Sequence, residues 1–135
     1  MIIDSIKEYF ELCPLIKKGR IQIDFLNRKT AWYTIDAIPC DPILKRYATG
    51  GSMKQFCFVF AGREGYRSDL NGKNADFYEK LAEWIEQENQ KGHLPDLGTE
   101  KTVQRMEVVS SGYLFEENIN DARYQLQCRL IYTEL

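Results

Sequence analysis

From Ala122 to Thr133 the chain alternates without a break, so Tyr124, Leu126, Cys128, Leu130 and Tyr132 share one face of an extended strand. Arg123, Gln125, Gln127 and Arg129 share the other. A face that long and that rich in hydrogen-bonding groups, with a cation near each end, suits water or a partner subunit better than a second core layer. The chain therefore calls for a sheet covered on one side.

The rest of the sequence supplies the cover and the neighbouring strands. Ile2, Ile3, Ile6, Tyr9, Phe10 and Cys13 recur at helical spacing, and Pro14 stops that helix. Ile21, Ile23 and Phe25 alternate with Gln22 and Asp24, and Asn27-Arg28-Lys29 separates them from a second run, Thr30 to Ile38, which predicts a hairpin. Pro39 and Pro42 interrupt regular structure around Cys40-Asp41. Ile43 to Tyr47 then faces Met53 to Ala61 across Thr49-Gly50-Gly51-Ser52, a second predicted hairpin.

Phe56 to Ala61 is apolar on both faces, as expected of a central strand covered on each side. Gly62 to Gly72, with Arg63, Glu64, Arg67 and Asp69, reads as a polar loop. A helix follows from Ala75 to about Gln90, with Asn74 or Asp76 as its N-cap and Gly92 at its end. Thr102 to Ser110 is a strand, and Glu116 to Asp121 separates Tyr113-Leu114-Phe115 from the last one. This order lacks regular β-α-β alternation, so the expected fold class is α+β: a mainly antiparallel sheet of about six strands with two helices packed against it. One domain over residues 1–135 is expected, without repeats or linkers.

Charge and composition narrow the classes of function. Eighteen basic against twenty acidic residues leave a net charge of −2, so no global basic field grips DNA or an anionic membrane. The aromatic residues are needed in the core, which argues against a sequence-specific nucleic-acid reader. The amino-terminal stretch carries acids where a secretory signal has an apolar run, and no segment approaches a membrane span, so a cytoplasmic setting is expected. Cys13, Cys40, Cys57 and Cys128 form no Cys-x-x-Cys pair and are expected to be reduced, buried thiols.

Catalytic chemistry finds little to stand on. His93 is the chain's one histidine and follows a helix-stopping glycine, so a loop or cap role is the simpler reading. A catalytic cysteine nucleophile would need a basic partner, and His93 could serve Cys13, Cys40, Cys57 or Cys128 only through an arrangement in space that the sequence does not display. Glu79, Glu83, Glu86 and Glu88 lie on a helix whose opposite face is apolar, which explains them as solvated charge. Ala48 to Ser52 shares only glycines with a phosphate loop and precedes a strand, so it is a turn. Neither catalytic residues, nor a cofactor, nor a metal site is assigned. Lys45, Arg46, Arg63, Arg67, Arg123 and Arg129 are either one basic surface or ordinary solvated charge.

Several blocks taken in order carry a family resemblance: Ile38-Pro39-Cys40-Asp41-Pro42-Ile43-Leu44-Lys45-Arg46-Tyr47, Gln55 to Glu64, Phe77-Tyr78-Glu79, Gly92 to Gly98, Ser111 to Phe115, and Ala122-Arg123-Tyr124-Gln125. Together they resemble the small minor capsid proteins of tailed phages and prophages of Gram-positive bacteria, which look like tail-terminator, or tail-completion, proteins. The resemblance implies a structural virion component that assembles as a ring of about six subunits on the head-proximal end of a tail tube and joins it to the head connector. It implies no catalytic residues. It also implies a place in the host bacterial cytoplasm during assembly and then in the virion, with partners that are other copies of the chain, tube and connector rather than membrane. Lys45, Arg46, Arg63, Arg67, Arg123, Gln125, Gln127 and Arg129 are the expected assembly interface. The alternatives are a small enzyme such as an acyltransferase, for which no glycine-rich pyrophosphate turn opens a helix, and a monomeric protein-binding adaptor.

Overall fold

A computed structural model of the chain describes residues 2–16, 21–23, 33–65, 68–115 and 121–135, with side chains placed over 2–16, 21, 23, 33–62, 76–110 and 125–135. The elements run α1 (Ile2–Glu11), β1 (Ile21–Ile23), β2 (Tyr33–Ala37), β3 (Ile43–Arg46), β4 (Ser52–Gly65), α2 (Ser68–Lys91), β5 (Lys101–Phe115) and β6 (Asp121–Glu134). Five strands lie in the order β1-β2-β4-β6-β5, and β3 pairs with β4 beyond the end of β2. Every pairing is antiparallel except β1 with β2. The fold is α+β with an open sheet, as the patterning requires.

The two faces of β6 separate as its alternation dictates. Leu126, Cys128 and Leu130 are fully buried, and their register partners on β4 are Phe60, Phe58 and Phe56. Both helices cover this side. Phe10 of α1 stacks on Phe60 at 4.8 Å and meets Phe58 edge-on at 6.0 Å, while Tyr33 stacks on Phe60 at 5.3 Å and on Phe77 of α2 at 5.5 Å. Tyr9 and Trp84, 5.0 Å apart, join the two helices to each other. This aromatic column ties both helices to the centre of the sheet.

At Gly62 the Tyr78 side chain of α2 packs directly against the backbone of β4. A Cβ there would collide with the Tyr78 hydroxyl and lie 3.1 Å from the Tyr33 ring, so a larger residue would push α2 away. At the far end of α2, Gly92 adopts φ +75°, its N–H donates to Asn89 O, and His93 N–H donates to Glu88 O. That pair of bonds is a Schellman cap. It makes His93 a cap residue, with Nδ1 2.9 Å from Glu88 Oε2.

Several sequence expectations give way to the structure. β1 and β2 do not form a hairpin: Ile21 pairs with Tyr33 and Ile23 with Ile35 in parallel. Alternation shows which face a residue takes but not the direction of its neighbour, and the nine intervening residues can span about 30 Å, ample for a return along so short a strand. The predicted turn Asn27-Arg28-Lys29 lies outside the described residues. Gly62 to Gly72 is not a loop, because β4 extends to Gly65 and α2 starts at Ser68. Asn74 and Asp76 are consequently inside the helix rather than at its cap. β5 is one strand through Ser111-Gly112 to Phe115.

Candidate functional site

Opposite the helices, the odd-numbered positions of β4 and β6 make a second, polar face. Its rows across the sheet read Lys45-Met53-Thr133-Thr102, Cys57-Arg129-Glu107, Asp36-Val59-Gln127-Ser110 and Thr34-Ala61-Gln125-Gly112. Val59 and Ala61 are buried at its centre, and Gln125, Gln127 and Arg129 are half-buried. Its order comes from side-chain pairing. Arg129 Nε lies 2.6 Å from Glu107 Oε2, and Nη1 donates to Gln55 Oε1 at 3.4 Å. Arg105 Nε lies 3.3 Å from the other Glu107 oxygen, and its Nη2 reaches over the edge of the sheet to Glu86 Oε2 of α2 at 3.1 Å.

Gln55 Nε2 continues the chain by donating to Asp41 O at 2.7 Å. The result is a connected ladder, Glu86-Arg105-Glu107-Arg129-Gln55-Asp41, running from α2 across three strands to the segment between β2 and β3. Exposed ion pairs contribute little singly, but a shared carboxylate holding two arginines fixes the geometry of a surface. Apart from this ladder, Gln127 accepts from Ser110 Oγ of β5 at 2.9 Å.

Among the described residues, the predicted interface cations do not form one basic patch. Lys45 stands on the open face, with its Nζ 5.6 Å from the Tyr47 ring centre. A register shift between Ile43 and Lys45 sets Lys45 on that face, and alternation turns Arg46 to the opposite one, in a row with Ser52, Glu134 and Lys101. There Arg46 lines an open depression of about 430 Å³ with Tyr47, Gly51, Lys54 and Glu134. Lys54 Nζ sits 2.6 Å from Glu134 Oε2; this hydrogen bond is the main cause that lowers the Glu134 carboxyl pKa and raises the Lys54 ammonium pKa. Arg63 and Arg123 occupy facing register positions, their side chains outside the described ones. Arg67 lies outside the described residues altogether.

Sequence reasoning missed Arg105 and Glu107, although their placement on either side of Met106 within a strand was a usable sign that both share the polar face. It also missed Asn89, whose side chain accepts from Met106 N–H at 3.0 Å and donates to Met106 O at 2.6 Å. That clamp satisfies the outer edge of β5 where α2 crosses it. Cys40 departs from the expectation of four buried thiols: it is exposed and Cys57 is half-buried, whereas Cys13 and Cys128 are buried. An interrupting segment flanked by two prolines has no core face to hide a side chain.

Among the described residues, no group of three or more His, Cys, Asp or Glu side chains could hold a metal ion, and no helix is long and apolar enough to cross a membrane. Comparison of the chain with family models, with curated proteins and with solved structures finds no match. What the fold and face define is a class: an α+β protein whose open sheet carries helices on one side and an ordered polar surface on the other.

Proposed function

We propose that this chain is a structural phage protein of the head-tail junction, a tail-terminator-like subunit that caps the tail tube as a closed ring and joins it to the head connector. The resemblance of its ordered sequence blocks to minor capsid proteins supports the reading. The observation that carries it is the open face, where a ladder of paired side chains holds a broad polar surface in one geometry on long strands. A ring subunit needs such a surface, because a heterologous contact closes only if each copy presents it at the same angle. Lys45, Gln125, Gln127 and Arg129, with the register positions of Arg63 and Arg123, form that contact in this proposal, and Arg46 faces a different neighbour.

The protein acts in the host cytoplasm during assembly and then in the virion, without catalysis. Negative-stain imaging of the purified chain mixed with tail tubes that lack their terminator tests it. Rings seated on one end of each tube are the expected result. Tubes left bare, with the chain dispersed, would reject it.

A further inference from the structure

β2 and β3 run along the same side of β4 as one interrupted strand. Ile38 N–H donates to Cys57 O at 3.0 Å and Gln55 N–H donates to Pro42 O at 2.9 Å, so three residues, Pro39 to Asp41, arch across the single β4 residue Phe56. The Gln55 side chain holds the same arch through Asp41 O. Cys40 is the middle residue of this strap, two positions beyond Ile38, whose backbone pairs with that of Cys57, so the strap carries one thiol alongside the other. One thiol is exposed and the other half-buried, and both are free.

We propose that Cys40 and Cys57 are a dithiol exchange site that closes to an intramolecular disulfide on reaction with a low-molecular-weight disulfide of the glutathione type. The Cys40 thiolate, exposed to solvent, attacks one sulfur of the small disulfide and expels one thiol. Cys57, beside it, then attacks the Cys40 sulfur of the mixed disulfide and expels the second thiol. The two cysteine sulfurs are oxidised by two electrons in total, the small disulfide is reduced to two thiols, and those thiols carry away the two protons.

The order of attack follows from the surroundings. Partial burial, and then the neighbouring Cys40 thiol, push the Cys57 thiol up to about 11, so it is a poor first nucleophile in neutral water. Held against Cys40, it needs only a small thiolate fraction to resolve the adduct, since the second step is intramolecular. Closure pins the strap to β4 within the row that also holds Arg129 and Glu107. The site does not depend on ring assembly.

The test uses the full chain incubated with glutathione disulfide, acid-quenched, alkylated and digested with trypsin. Cys40 and Cys57 fall on separate tryptic peptides, 30–45 and 55–63, so their linkage is read directly by mass. The expected product is that cross-linked pair, with Cys13 and Cys128 still free and one chain per molecule. In Cys57→Ser the reaction should stop at a stable glutathione adduct on Cys40, and in Cys40→Ser modification of Cys57 should slow by about tenfold or more, as loss of the exposed thiol demands. A wild-type chain that accumulates the Cys40 adduct without the 30–45 to 55–63 link, that joins two chains through Cys40, or that does not react overturns the proposal.

Discussion

Phe60 and Val59 are neighbours on one strand, yet they belong to two differently built surfaces. Phe60 lies between the rings of Phe10 and Tyr33, among side chains that carry no charge and pack by shape. Val59 sits in a row with Asp36, Gln127 and Ser110, on a face whose order depends on hydrogen bonds and ion pairs. On the helix-covered face, stability comes from excluding water and filling volume. On the open face, the same backbone supports a network that costs little to leave in water. Between Phe56 and Phe60 and between Leu126 and Leu130, parity thus decides what a polar substitution breaks: the fold at the even positions, the surface at the polar odd ones.

The largest contrast is between adjacent residues of β6. Leu126→Asp places an unpaired carboxylate in a fully buried site and should cost several kcal/mol, leaving little folded protein in a urea or thermal melt. Gln127→Glu keeps its acceptor for Ser110 and should shift stability by about 0.5 kcal/mol or less. Equal losses at the two positions would erase the distinction between the faces.

Next in size is Asn89→Ala, which uncaps the backbone of Met106 at the outer edge of β5 and should cost about 1–3 kcal/mol, with faster hydrogen exchange at the Met106 amide. Within the open face, a double-mutant cycle with Glu107→Gln and Arg129→Gln should give a coupling of about 0.5–1 kcal/mol that shrinks in high salt. A coupling of zero would reduce the ladder to ordinary surface charge. The smallest expected effect lies in the core. The Tyr9 hydroxyl is buried without a hydrogen-bond partner, and burial holds the phenol well above its usual range, so Tyr9→Phe should leave the melting point unchanged or raise it slightly.

How much of this was legible follows from the range over which each signal acts. The faces of β6, the Gly50-Gly51 turn and the Gly92 helix stop are written in neighbouring residues, and glycines at φ +93°, +85° and +75° confirm the turn chemistry. The start of α2 was hidden because Ser68 to Asp76 is polar and contains Gly72, so apolar spacing begins only at Phe77. The parallel pairing of β1 with β2 and the partnership of Arg129 with Glu107 are contacts between distant segments, which periodicity within one segment does not encode. The register shift at β3, also a matter of pairing between segments, decides that Lys45 rather than Arg46 takes the open face, while alternation keeps the two apart.

The claim that the open face is built for other protein subunits is tested most directly by sedimentation of the wild-type chain and a Lys45→Glu, Gln127→Glu variant at rising concentration. Both substitutions lie on that face and spare the ladder, so the two proteins should melt together. The wild type should pass from monomer to one discrete closed species while the variant stays monomeric. Identical sedimentation of the two proteins would contradict the role assigned to this face.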